Sequence, residues 1–332
     1  MHDTECHCNI DLYCAFNISS SGNLTTEPVV KMIVLQVLVG IFLYVNCLMI
    51  FTFLKKEVFR GDTRYILFAQ TLFVDSAVLF LTDVMLLMTA FQVRIHMISC
   101  IIVSVVVAVL KSCTPMTLVA MCLERYVAIC MPLRHADISS SSRIRFFGFL
   151  IIWTISSITA LFTFVTYISV APPSSLSLNV VCSIELMLDQ EWQAQARAIM
   201  LLTFFLLMIS VIIFTYIKIM IAARAASSEK KKSTSKCLRT VLLHGFQMFL
   251  CIVQFITPYI EMPLWKLDII VFTNVRYSNF IMFIIVPRCL SPLIYGLRDE
   301  KFFFHSIFQL LPTFARTAKA LCPTCLLLSF YT

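Results

Sequence analysis

Residues 121–135 read Met-Cys-Leu-Glu-Arg-Tyr-Val-Ala-Ile-Cys-Met-Pro-Leu-Arg-His. They close a long apolar run, 97–123, with a carboxylate and a guanidinium side by side, Glu124 and Arg125. Charges at such a place are costly unless they are paired or face a polar interior, so they mark function. Pro132 and Arg134 follow at once, as expected of a cytoplasmic turn.

The rest of the chain agrees with a membrane setting. Of 332 residues, 60% are hydrophobic and 13% charged, and the mean hydropathy is +0.90. Soluble domains do not have that balance. Apolar runs place spans at 29–54, 65–90, 97–123, 146–168, 197–222, 237–260 and 270–296. Each exceeds the ~20 residues that cross a bilayer and leaves room for tilt. The expected fold is all-α: a seven-transmembrane helix bundle over 29–298, a tail at 1–28 and a tail at 299–332 that opens with an amphipathic helix.

Orientation follows from Lys and Arg placement. With the N-terminus outside and the C-terminus cytoplasmic, the inner segments hold Lys55, Lys56, Arg60, Arg64, Arg134, Arg143, Arg145, Lys230, Lys231, Lys232 and others. The outer segments hold Lys31, Arg94, Lys266 and Arg276, with Arg197 at a span edge. The net charge of +8 is therefore a topology signal, with no nucleic-acid partner implied. Residues 1–28 lack a continuous apolar core of a signal peptide, so the first span is expected to act as its own insertion signal. Asn17 and Asn23 each open an N-glycosylation sequon on the expected outer side.

Fourteen cysteines suggest a metal or disulfide framework, but most lie inside spans, where Cys behaves as a small hydrophobe. Cys100 and Cys182 fall at the outer face, where oxidation persists. Cys6, His7 and Cys8 have poor spacing and number for a metal site. The six His are scattered and no His-Glu-x-x-His motif is present, which argues against a membrane enzyme. No cofactor is expected.

Six motifs then fall in register. Arg125-Tyr-Val-Ala-Ile-Cys-x-Pro-Leu-Arg134 resembles the third-helix motif of rhodopsin-like G-protein-coupled receptors in its odorant-receptor form. Asn46 matches the span-one Asn, and Leu72-Phe73-Val74-Asp75 is similar to the span-two signature. Thr215-Tyr216 and Lys236-Cys237-Leu238-Arg239-Thr240 resemble the ends of spans five and six. Ser291-Pro292-Leu293-Ile294-Tyr295 is similar to Asn-Pro-x-x-Tyr. His244-Gly245-Phe246-Gln247 and Pro287-Arg288-Cys289-Leu290-Ser291-Pro292 look like fish-type odorant receptors. Ser291 departs from the usual Asn, and Cys251-Ile252-Val253-Gln254 stands where many relatives carry Cys-Trp-x-Pro.

The resemblance implies a receptor in the plasma membrane that binds a small-molecule odorant within the bundle and activates a heterotrimeric G protein of the stimulatory, olfactory type. A non-olfactory receptor for a small ligand or peptide is the alternative. A retinal protein needs a Lys in span seven, and 270–296 has none. A transporter would show repeats or interrupted helices, and neither is evident. The resemblance also implies a Cys100–Cys182 bridge. It makes Arg125, paired with Glu124, the inactive lock, with Tyr216 and Tyr295 as tyrosines that turn inward when span six moves outward. Val107, Lys111, Met200, Phe255 and Tyr259 occupy pocket positions.

Lys111 carries the sharpest ligand signal. It lies eleven residues after Cys100, about 16 Å deeper at ~1.5 Å per residue, near mid-membrane. An ammonium there needs a partner: an anionic ligand, Asp83, or loss of its proton. Arg197 either adds a second positive charge at the outer mouth or snorkels. Phe255 and Tyr259 are one turn apart on span six, as pocket wall or as ordinary packing. Asp75 and Arg288 both sit about 15–16 Å from the cytoplasmic edge at ~1.5 Å per residue. In many relatives that Asp binds sodium. Here a buried pair with Arg288 is expected to take the ion's place, unless Arg288 faces the inner water-filled cavity.

Overall fold

The computed structural model describes residues 27–55, 61–135, 141–172, 174–182, 191–225, 228–265 and 269–298. Asn17, Asn23 and the tail from 299, with its expected amphipathic segment, lie outside them.

Eight α-helices are present among the described residues: α1 (Glu27–Lys55), α2 (Thr63–Ala90), α3 (Met97–Cys130), α4 (Ser142–Val170), α5 (Glu191–Ala225), α6 (Ser228–Trp265), α7 (Ile269–Asn279) and α8 (Val286–Arg298). The first six are long and apolar enough to cross a membrane. The seventh crossing is α7 and α8 joined by a π-helical turn, Phe280–Ile285. There the Val286 N–H bonds to the Ile281 carbonyl, five residues back. Pro287 explains the irregularity, because its ring clashes with the carbonyl one turn earlier and offers no N–H.

Helix starts follow capping chemistry. Asp62 accepts from the Arg64 N–H at 3.0 Å and opens α2. Ser141 accepts from the Ile144 N–H and opens α4. Hydroxyls inside the spans bond back to carbonyls one turn earlier, as Thr52, Thr71, Ser76 and Ser156 do. That hides polar groups from lipid. Large apolar side chains such as Phe80, Leu150, Leu202 and Phe249 are exposed, as a lipid-facing surface requires.

α3 is the central pillar. With α1, α2 and α4 it buries Met49, Phe68, Leu72, Leu110 and Ile152. With α5 and α6 it buries Leu118, Cys122, Phe205, Met208 and Met248. A third cluster, Leu35, Val39, Leu79, Ile285 and Cys289, seats α8 and the π turn against α1 and α2.

Two features exceed the sequence reading. The helices overrun the apolar spans: α5 starts at Glu191, and α6 starts at Ser228, so the Lys230–Lys232 stretch read as an inner loop is helical. Lys, Glu and Ser continue a helix readily once it has left the bilayer. A small antiparallel ladder also appears, β1 (Arg94–His96) with β2 (Asn179–Val181), registering Arg94 on Val181 and His96 on Asn179. Met97 N–H bonds to the Leu178 carbonyl at 3.0 Å and ties the start of α3 to the same loop.

This ladder delivers Cys182 to Cys100, and the two form a disulfide across 82 residues. Met85 and Val107 pack beneath it. Mass-spectrometric mapping of surface-expressed protein should recover both cysteines in one linked peptide. Cys182→Ser should destabilise the protein by about 2–5 kcal/mol, as loss of a native bridge usually does. Recovery of both as free thiols would reject the bridge.

Candidate functional site

The functional residues fall in three layers along the bundle axis. Nearest the disulfide is a small, partly open cleft. α3 lines it with Ser104, Val105, Ala108 and Ser112, α4 with Thr159, Ala160 and Thr163, α5 with Arg197 and Leu201, and α6 with Phe255. The wall is thus apolar with hydroxyls and one guanidinium, the usual make-up of a small-molecule site. Ser104 is 1% exposed and its Oγ has no protein partner. A buried hydroxyl in that state costs free energy until something bonds to it.

Of the five pocket positions, Phe255 lines this cavity and stacks at 5.2 Å on Phe205. Val107 is fully buried and packs with Met85 and the disulfide instead. Tyr259 donates its hydroxyl to the Ala194 carbonyl at 3.3 Å, linking α6 to α5. Lys111 and Met200 are half-buried on α3 and α5. Pro115 cannot donate the N–H that would satisfy the Lys111 carbonyl, so α3 is weakened at Lys111. Asp83 accepts from Gln36 of α1 at 2.6 Å.

The middle layer is polar and closed. Asp75, fully buried, accepts from Thr114 of α3 and Ser291 of α8, each at 2.9 Å. Arg288, 2% exposed, donates to the Ile284 carbonyl of the π turn at 2.5 Å and to Gln254 of α6 at 3.3 Å. Asp75 and Arg288 thus reach one layer but bond to different groups. Two hydroxyls satisfy the carboxylate, and the guanidinium turns to α6. Their charges still attract across the gap. Thr114, Gln247 and Gln254 were missed in the sequence. The available signal was two glutamines in the apolar run of α6, seven residues apart.

At the far end, Arg125 is 4% exposed, and its Nε lies 3.1 Å from Glu124 Oε2. The atoms are not aligned for a hydrogen bond, so the attraction is that of charge. Glu124 Oε1 also meets His135 Nε2 at 3.1 Å, so one carboxylate holds two bases. Tyr216 is half-buried in the α3–α5–α6 core. Tyr295 lies on α8, with its side chain outside the described set. Asp62 bonds Arg64 beside this cluster. Burial pushes the Asp62 carboxyl up, but the Arg64 contacts outweigh it and hold the carboxyl below its ordinary value.

Among the described residues, no group of His, Cys, Asp and Glu could hold a metal ion. A pocket toward one end, a buried polar layer and a guarded Arg at the other describe a signal-transmitting bundle. The chain belongs to the rhodopsin family of seven-transmembrane receptors, whose family model matches residues 45–295. It is a multi-pass receptor of the plasma membrane that acts through a small-molecule ligand and a G protein, and it is no enzyme. It is 55% identical over 287 residues to Odorant receptor 131-2 of Danio rerio, covering 86% of this chain and 88% of the relative.

Proposed function

We propose that this chain is an odorant receptor whose ligand carries an acid group or a strong hydrogen-bond acceptor. The ligand's apolar body lies against Leu201 and Phe255, and its polar end is held in the α3–α4–α5 cavity. The observation that carries this is the unpartnered Ser104 hydroxyl in a wall that also holds Arg197. Lys111 of α3, one residue before Ser112 and not part of that wall, is the second cation in this half of the bundle. The likeness to a named odorant receptor of zebrafish supports the class of ligand. Lys and Arg placement puts the N-terminus outside and the Arg125 end in the cytoplasm, and the cationic inner segments suit a stimulatory G protein.

The test uses acids, amines and neutral odorants as separate pools, with cyclic AMP as the readout. Arg197→Gln and Lys111→Met should each shift acid responses at least about tenfold, since hydrogen bonds to charged groups contribute about 1.5–3 kcal/mol. Ser104→Ala should shift them about fivefold, as for one neutral hydrogen bond. Surface expression should hold in all three. Unchanged acid potency in both cation variants would overturn the anionic reading. Lys111 would then be structural, and Asp83→Asn should be the damaging change.

A further inference from the structure

We propose that Gln247 and Gln254 of α6 form a two-rung clasp on the Pro287–Ser291 segment of α8, and that this clasp holds the receptor in its non-signalling arrangement. The two glutamines stand seven residues apart, two helical turns, and so share one face of α6. At the first rung, Gln247 Nε2 donates to the Pro287 carbonyl at 2.8 Å and to Ser291 Oγ at 2.7 Å. The Ser291 hydroxyl in turn donates to Asp75. At the second rung, Gln254 Oε1 accepts from Arg288. All five side chains are buried.

The gripped segment is soft. It begins where the π turn ends, and Pro287 removes a backbone donor from it. The Gln247 amide reaches the Pro287 carbonyl and the Ser291 hydroxyl from a neighbouring helix, adding contacts from outside to this segment. The clasp is also unfinished. Gln247 Oε1, Gln254 Nε2 and Arg288 Nε are buried with no hydrogen-bond partner. A buried network with an open acceptor and two open donors has other pairings close in free energy. That is the property a switch needs, because packed interfaces change between discrete arrangements.

Position gives the clasp its sign. On one side, Phe255, the next residue after Gln254, lines the cavity. On the other, Arg125 is buried against Glu124 and so cannot reach a partner. The clasp therefore stabilises an arrangement in which Arg125 is covered. A ligand that moves Phe255 acts on Gln254, and it shifts the balance by its differential affinity for the two arrangements.

The experiment is agonist-independent signalling per surface receptor, in cells co-expressing G-protein α subunits of each class. Gln247→Met and Gln254→Met keep length but lose the amide. Each should raise the signal at least about fivefold, because Gln247 gives up two neutral hydrogen bonds and Gln254 gives up one to a charged group. Gln254→Glu sets a carboxylate on Arg288 and turns a bond with one charged partner into one with two, which strengthens the second rung. Added to Gln247→Met, it should bring the raised signal back toward the parental level. A shift in the same direction by Gln254→Glu and Gln254→Met would overturn the proposal, as would no rise in either Met variant. If a Met variant fails to reach the surface, Gln247→Asn and Gln254→Asn replace it. They keep the amide one methylene short of its partner, and the same outcomes decide.

Discussion

Replacing Arg288 by Gln is expected to remove most of the receptor from the cell surface, and replacing Asp75 by Asn is expected to do the same. Both side chains are buried in one layer. Neither charge is neutralised by direct contact with the other, so each depends on the field of its counterpart and on neutral donors and acceptors. For Asp75 these are Thr114 and Ser291. For Arg288 they are Gln254 and the Ile284 carbonyl. A lone charge in the bilayer core costs at least about 2.5–3.5 kcal/mol. That is a large fraction of a domain's stability of about 5–15 kcal/mol. The double variant leaves no buried charge and should recover part of the loss. The measurement is surface expression, with thermal stability of the solubilised receptor. Normal expression and signalling by Arg288→Gln alone would show that the guanidinium is solvated from the inner side. Arg288 already sets a fixed positive charge in the layer of Asp75, so signalling is expected not to respond to sodium.

The spans were readable because lipid imposes length and hydropathy directly on sequence. Arg125, Asp75 and Arg288 were readable because a charge in such a run is rare enough to stand out. Rotational phase was not readable. Helices that are apolar nearly all round give no moment to show which face points inward. The resemblance places Val107 at a pocket position, whereas it packs under the disulfide, and Ser104 and Thr163 line the cavity unforeseen. The three-residue strands β1 and β2 are too short to show alternation. The π turn depends on how Pro287 is accommodated against α6, a tertiary fact. His135 was passed over because it lies beyond the apolar run, where a His is ordinary. Only the fold brings it to Glu124.

Arg125→Ala is expected to abolish signalling while leaving the receptor at the surface. The guanidinium is almost wholly covered in the arrangement seen here, and its neighbour Glu124 is also engaged by His135. A residue kept charged, buried and attached to a carboxylate shared with a second base is poised to be released. Its removal deletes the group that the open arrangement would present to a G protein. The converse variant separates this from a folding role. Glu124→Gln removes the carboxylate that holds both bases and should raise agonist-independent signalling about tenfold or more, since bonds to charged groups contribute about 1.5–3 kcal/mol. His135→Ala leaves the Arg125 contact in place and should raise it less. Combining Glu124→Gln with Arg125→Ala should silence the receptor again, because the released group is then missing. Cyclic AMP per surface receptor is the readout for all four. Signalling by Arg125→Ala at the parental level, or a silent Glu124→Gln at normal surface density, would place the switch elsewhere in the bundle.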